Sequence, residues 1–227
     1  MSTGMFMKTL VEWSKTNNIN PLHMLMIMYS ESGVTPSAAA RNKNGTIVAA
    51  GISQIQPSNF EALGWRGSAE EFIKLSDEQQ LPFTFRYMRP YLEKGLTEAH
   101  HIYACNFLPA RCVGNWKQDG YVLCGGRGQV EEGNEVLQWA YDANRVLDAN
   151  RDGFITMSDL KDHLAKVCRG RAWDSRLSEL TAALGTAAIT WKRAQTELQS
   201  LGFYKGKIDG VPGPMTCAAV CALIEDG

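Results

Sequence analysis

Glu31 closes an apolar run, Pro21 to Ser30, and is followed by Ser32 and Gly33. Leu22, Leu25, Met26, Ile27 and Met28 leave that run little polar surface, so it reads as a buried helix over 21–31. Asn20 serves as its N-cap, Pro21 as its first residue, and Gly33 with Pro36 as its stop. A carboxyl at the C-terminal end of a buried helix meets desolvation and the negative end of the helix dipole, and both raise its pKa. Such a group suits general acid catalysis near neutral pH. A lone glutamate at a helix end is ordinarily a solvated residue, so its weight depends on partner motifs spaced further along the chain.

A second chemistry-bearing set runs from Asp148 to Asp159. Oxygen-bearing side chains stand at loop positions 1, 3, 5, 9 and 12 (Asp148, Asn150, Asp152, Thr156, Asp159), Gly153 at 6, and the Phe154 carbonyl at 7. This is the EF-hand calcium pattern, and three carboxylates around a glycine turn repel one another unless a cation intervenes. Asp159 replaces the usual final Glu and shortens that arm. The hand is unpaired, which favours one weak, structural Ca2+; the alternative is an Asx-rich turn without metal.

Glu31-Ser32, then Gly51-Ile52-Ser53-Gln54-Ile55-Gln56-Pro57, then Asn106 after the apolar run containing Tyr103 together resemble the soluble lytic transglycosylase family, within the goose-type lysozyme group. The resemblance covers roughly 15–115. It departs where Cys105-Asn106-Phe107-Leu108 replaces the family's Tyr-Asn-Ala-Gly; Asn106 carries over, and Tyr103 stands two positions before the place of the missing tyrosine. The resemblance implies cleavage of the MurNAc–GlcNAc bond of peptidoglycan, with Glu31 as acid/base and Ser32, Gln54, Tyr103 and Asn106 positioning sugar. Near the C-terminus, Trp191, Ala194, Leu198 and Leu201 share a helical face. Gln195, Leu201-Gly202-Phe203-Tyr204, Gly206, Ile208-Asp209-Gly210 and Gly213-Pro214 with Thr216, Ala219 and Val220 then look like a small three-helix peptidoglycan-binding domain, for which Tyr204 and Asp209 are the candidate wall contacts and Thr216 the cap of the last helix.

The stretch from Ser32 to Phe60 holds no Asp or Glu. Glycosidases commonly use two carboxylates, so one acid without an evident partner favours a substrate-assisted route. The N-acetyl group would stabilise C1, and the MurNAc 6-hydroxyl would attack with Glu31 as base. A hydrolysing lysozyme or chitinase-like hydrolase is the alternative. A non-catalytic, calcium-dependent wall-binding protein is the rival of another class, since it needs the tail and the loop but not Glu31.

The elements that must position these residues belong to a mainly α protein. The expected parts are a lysozyme-like helical domain over 1–142, an EF-hand-like segment over 143–170 and the wall-binding domain over 185–227. Helices are expected from Phe6, Leu10, Val11 and Trp13, over 21–31, and near 58–63, 68–75, 77–94, 97–107 and 132–147, with a loop through Asn42 to Gly45. The 227 residues are 44% hydrophobic and 21% charged with net charge −1, which offers no electrostatic case for nucleic acid or an anionic membrane. No segment has the roughly 18 apolar residues of a membrane span. The start lacks a charged region followed by an apolar stretch, so no signal peptide is expected; delivery to the wall by a phage route, holin-released or virion-borne, and a monomeric state are the corresponding expectations. The six cysteines do not form a secreted framework. Free buried thiols are the main reading for them, with zinc held by His101, Cys105, Cys112 and Cys124, or a disulfide within 105–124, as alternatives.

Overall fold

The structure, a computed structural model, describes residues 4–93, 95–96, 98–126, 135–184, 191–209 and 214–226. Its elements are mainly helical. α1 (Gly4–Thr16) and α2 (Pro21–Ser32) are followed by a hairpin of β1 (Ala39–Arg41) and β2 (Ile47–Ala50), then α3 (Ala69–Phe72), α4 (Asp77–Leu92) and α5 (Ala99–Phe107). Next come β3 (Val122–Gly125), α6 (Glu135–Ala143), β4 (Phe154–Thr156), α7 (Met157–Val167) and α8 (Arg171–Ala183), and last α9 (Trp191–Ser200) and α10 (Pro214–Asp226). Among the described residues, no helix is long and apolar enough to cross a membrane.

α2 is the central pillar, packed against α1, α5, α7 and α8. Its ends are set locally. The Asn20 side chain accepts from the Leu22 N–H at 2.9 Å, and Gly33, at φ 65°, donates its N–H back to the carbonyls of Met28 and Tyr29. Met24, Leu25, Ile27 and Met28 lie at 0% exposure, so the helix is enclosed almost all round. Each such side chain contributes on the order of 1.5–3 kcal/mol by burial. The C-terminal turn that carries Glu31 is therefore held in place by the core.

That core runs from Phe6 and Leu10 through α2, α4 and α5 to Ile155, Leu160, Leu164, Trp173 and Leu180. Residues 143–170 thus share one core with the preceding chain instead of closing on a core of their own, because β4 and α7 bury their apolar faces against β3, α5 and α2. α8, to which the sequence assigned no part, belongs to the same core. A second cluster, Ile47, Ala50, Ile55, Phe60, Leu63 and Phe72, lies beneath the hairpin.

Several boundaries differ from expectation. The expected loop through Asn42 to Gly45 is present, as the turn of a hairpin. Asn42 Oδ1 accepts from the N–H groups of Asn44 and Thr46, both at 3.0 Å, which draws β1 and β2 together. The helix expected over 58–63 is a single 3-10 turn, Pro57–Asn59, followed by turns to Gly64 at φ 83°. α3 is short, with Ser68 and Glu71 forming a reciprocal capping box. The helix expected over 132–147 is observed from Glu135 to Ala143, then as a 3-10 turn Arg145–Leu147; 132–134 lie outside the described residues. In the tail, α9 and α10 pack together around Leu198, Tyr204 and Ala219. Gly210 and Gly213 of its pattern lie outside the described residues.

Candidate active site

Glu31 and Asn106 are brought together from the ends of α2 and α5. Asn106 Nδ2 donates to Glu31 Oε1 at 3.0 Å. Burial pushes the Glu31 carboxyl up to about 7, with the Asn106 amide as the opposing influence. The residue nevertheless keeps a partial opening to solvent, so its proton is exchangeable and reachable. A carboxyl poised near neutrality at a partly open position can both donate and recover a proton.

Two tyrosines stand close enough to feel the Glu31 charge. Tyr87 on α4 and Tyr103 on α5 are both raised, by burial first and by Glu31 second. Tyr103, expected to meet sugar, is 6% exposed and its hydroxyl bonds to Ser30. Ser30 Oγ is in turn 3.0 Å from His163 Nε2 on α7. Tyr103 therefore acts from inside, bracing the turn that precedes Glu31. Tyr87 carries no signal in the sequence, because nothing in its local pattern separates it from a helix-face aromatic.

Ser32 and Gln54 are engaged within the protein. Ser32 Oγ donates to the Ile52 carbonyl at 2.9 Å and accepts from the Thr35 N–H at 3.2 Å, joining the end of α2 to the Gly51–Pro57 turn. Gln54, at φ 47°, donates from Nε2 to the carbonyls of Gly51 at 2.9 Å and Ala38 at 3.4 Å. The turn is anchored from α4 by Gln80, fully buried, whose Oε1 accepts from the Ile52 N–H at 2.9 Å. Gln80 Nε2 donates to the carbonyls of Pro36 and Phe72. Thr84 joins Ser53 at 2.8 Å. Gly51, at φ 78°, is required here: a Cβ would strike Gln80 Oε1 and come within 2.9 Å of Phe72. Gln80 was legible only as a polar residue on the same helical row as Thr84 and buried Met88.

The 148–159 loop places its oxygens as follows. Asp148 is buried; its Oδ2 accepts from the Tyr141 hydroxyl at 2.8 Å and the Gly153 N–H at 3.0 Å, while Oδ1 is buried without a partner. Burial works against the charged form, but the hydrogen bonds outweigh it and hold Asp148 below the usual carboxylate range. Asn150 and Asp152 bond to each other, and Asp152 Oδ1 accepts from the Phe154 N–H at 2.9 Å. Asp159 forms a capping box with Thr156, its Oδ2 accepting from the Thr156 N–H and hydroxyl and its Oδ1 from the Ala149 N–H. The orphaned Asp148 Oδ1 fits a cation. Asp159, read as an end ligand, is committed to the start of α7 instead. A cavity of about 620 Å³ beside the loop is lined by Asp148, Asp152, Gly153 and His163 among others.

The remaining candidates are reassigned. Tyr204 is 6% exposed, donating its hydroxyl to the Lys207 carbonyl at 2.8 Å. Gln195 Nε2 reaches Tyr204 Oη, Asp209 Oδ1 and Thr216 Oγ1; Tyr204 and Thr216 are buried within the tail, while Asp209 remains exposed. Thr216 lies inside the first turn of α10 and not at its cap. Cys105, Cys124 and Cys168 are buried and Cys112 is partly buried; Cys217 and Cys221 side chains lie outside the described residues. His101 gathers with Glu98 and His100, not with the cysteines, in the one cluster of three or more such donor groups found among the described residues.

A mainly helical fold presents one poised carboxyl beside an amide, a pair able to give and take a proton at a partly open position. Residues 8–105 match the model of the family described as Transglycosylase SLT domain. Members of that family are lytic transglycosylases, glycosidase-type enzymes that cleave peptidoglycan, and the chain is similar to them over those residues. No curated protein and no solved structure matches the chain.

Proposed function

We propose that Glu31 is the acid/base of this domain and that the bond cut is the β-1,4 link between MurNAc and GlcNAc. The observation that carries the reading is a carboxyl pushed up to about 7 and bonded by Asn106 at 3.0 Å, in a chain whose residues 8–105 match the family. Because an amide N–H can only donate, it holds Oε1 as an acceptor and leaves the proton on Oε2. Glu31 gives that proton to the glycosidic oxygen as the C1–O bond breaks, releasing the GlcNAc 4-hydroxyl. The MurNAc N-acetyl carbonyl stabilises C1. The MurNAc 6-hydroxyl then bonds to C1 and returns its proton to Glu31, closing a 1,6-anhydro ring without net consumption of water.

Calcium at the 148–159 loop is part of the same proposal, with the buried, unpartnered Asp148 Oδ1 as its support. Asp148, Asn150, Asp152, the Phe154 carbonyl and Thr156 would hold the ion, and Asp159 would join by leaving its capping partners. Binding would rigidify the loop beside α7, whose His163 contacts Ser30. The tail, from about residue 185, would tether the enzyme to the wall, and delivery by a phage route as an endolysin or virion enzyme is the setting we propose.

The test is Glu31→Gln assayed on purified peptidoglycan, with the released muropeptides weighed by mass spectrometry. Proton transfer by a placed group is worth about 10² to 10⁴ in rate, and the loss here belongs at the upper end because one residue serves twice. Wild type should release 1,6-anhydro-MurNAc ends. Reducing ends would point to a hydrolase instead, and full activity in the variant would overturn the assignment of Glu31.

A further inference from the structure

Glu98, His100 and His101 form a donor cluster that the peptidoglycan chemistry does not use. Glu98 precedes α5, and its side chain makes no capping hydrogen bond there. Its Oε2 lies 3.5 Å from His100 Nε2 and 3.9 Å from His101 Nδ1, and the three donor atoms are all within 4.8 Å of one another. Both histidines are only 8% exposed. Their rings pack 4.2 Å apart, and His101 sets its edge against Trp116 at 5.5 Å, so the donors are held by packing.

The second nitrogen of His101 decides what the first can do. His101 Nε2 is 3.2 Å from the Lys117 carbonyl oxygen. A carbonyl only accepts, so Nε2 carries the hydrogen and, in the neutral ring, Nδ1 presents a lone pair. That lone pair faces the carboxylate of Glu98, an arrangement of two acceptors with no proton between them. Histidines that ligate metals are commonly fixed in this way, with the far N–H given to a backbone carbonyl. Burial, joined at His100 by the neighbouring His101, pushes His100 down to about 4 and lowers His101. Neutral imidazole with carboxylate is a donor set suited to zinc.

We propose that Glu98, His100 and His101 bind one zinc ion, with water completing a tetrahedral shell. Bonds of about 2.0–2.2 Å place tetrahedral ligands roughly 3.3 Å apart, so the 3.5 and 3.9 Å separations from Glu98 and the histidine–histidine separation, within 4.8 Å, would all have to shorten as the ion binds. The positive end of α5 opposes a cation, as do Lys161 near His100 and Lys117 near His101. The Glu98 carboxylate offsets them, with Asp119 also close to both rings. The ion would order the start of α5, which the His101–Lys117 contact joins to the 116–119 loop, at the opposite end of the helix from Asn106.

The test is zinc binding to the metal-stripped full chain, measured by titration calorimetry and by zinc content after dialysis, with calcium present to occupy the aspartate loop. Wild type should retain one equivalent and melt several degrees higher with zinc. Loss of an outer partner alone lowers affinity about 10- to 100-fold, so Glu98→Gln and His101→Gln should each weaken binding by at least that factor. Glu98 is exposed, which makes Glu98→Gln the variant expected to fold normally should His101→Gln fail. Cys112→Ser should bind as wild type does. Absence of zinc binding, or binding that survives Glu98→Gln and is lost in Cys112→Ser, would overturn the site.

Discussion

Glu31→Gln should make the protein more stable, and more so the higher the pH. The ordinary pKa of the carboxyl is 4.5 and the folded environment pushes it up to about 7. Between those values the unfolded chain has released a proton that the folded chain keeps, so the folded state loses stability as pH rises through this window. Below pH 4.5 the penalty is absent; above pH 7 it is complete. A gap of about 2.5 pH units, at about 1.36 kcal/mol each, amounts to roughly 3 kcal/mol. Gln has the same shape, carries no charge and can still accept from Asn106 through its amide oxygen, so it removes most of the penalty. For a domain of this size 1 kcal/mol moves the melting temperature by about 2–4 °C. The expected gain is therefore about 5–10 °C at pH 8 and close to none at pH 4.5. Calorimetric melting of both proteins from pH 4.5 to 8.5 reads it directly. A gain that is flat with pH, or a loss of stability at pH 8, would refute the claim that Glu31 is held protonated by burial.

Asn106→Ala removes the one influence that lowers the Glu31 pKa. A hydrogen bond to a charged group is worth about 1.5–3 kcal/mol, so the alkaline limb of the activity profile should move up by about 1 pH unit, alongside a lower maximal rate. A limb that stays in place would mean that Asn106 does not act through Glu31. For the 148–159 loop, a dissociation constant on the order of 10⁻⁴ M implies that 10 mM calcium stabilises the fold by about 2.7 kcal/mol. This should raise the melting temperature by roughly 5–10 °C, and Asp148→Ala should abolish the increment. Equal melting with calcium and after chelation would show that the loop binds no ion.

The ends of α2 were legible because their signals are local. Asn20, Pro21 and Gly33 act on backbone groups within a few residues, so their consequences hold almost regardless of what the rest of the chain does. Glu31 could accordingly be placed at the end of a buried helix from sequence, and the direction of its pKa shift with it. Its partner could not be derived that way: Asn106 lies 75 residues away and arrives only because α2 and α5 share a core. The same holds for Ser32, Gln54 and Tyr204, whose polar types suggested ligand contacts. Whether a hydroxyl or amide faces substrate or its own backbone depends on which carbonyls packing brings within about 3 Å, and here the Ile52, Gly51 and Lys207 carbonyls claimed them. The aspartate loop was readable as a pattern of oxygens, yet only the fold decided that Asp148 Oδ1 is stranded and that Asp159 is engaged in starting α7. Sequence set which groups were present and where their helices begin and end. Tertiary packing decided which of those groups were left with unsatisfied chemistry, because desolvation and partner choice are properties of the assembled core.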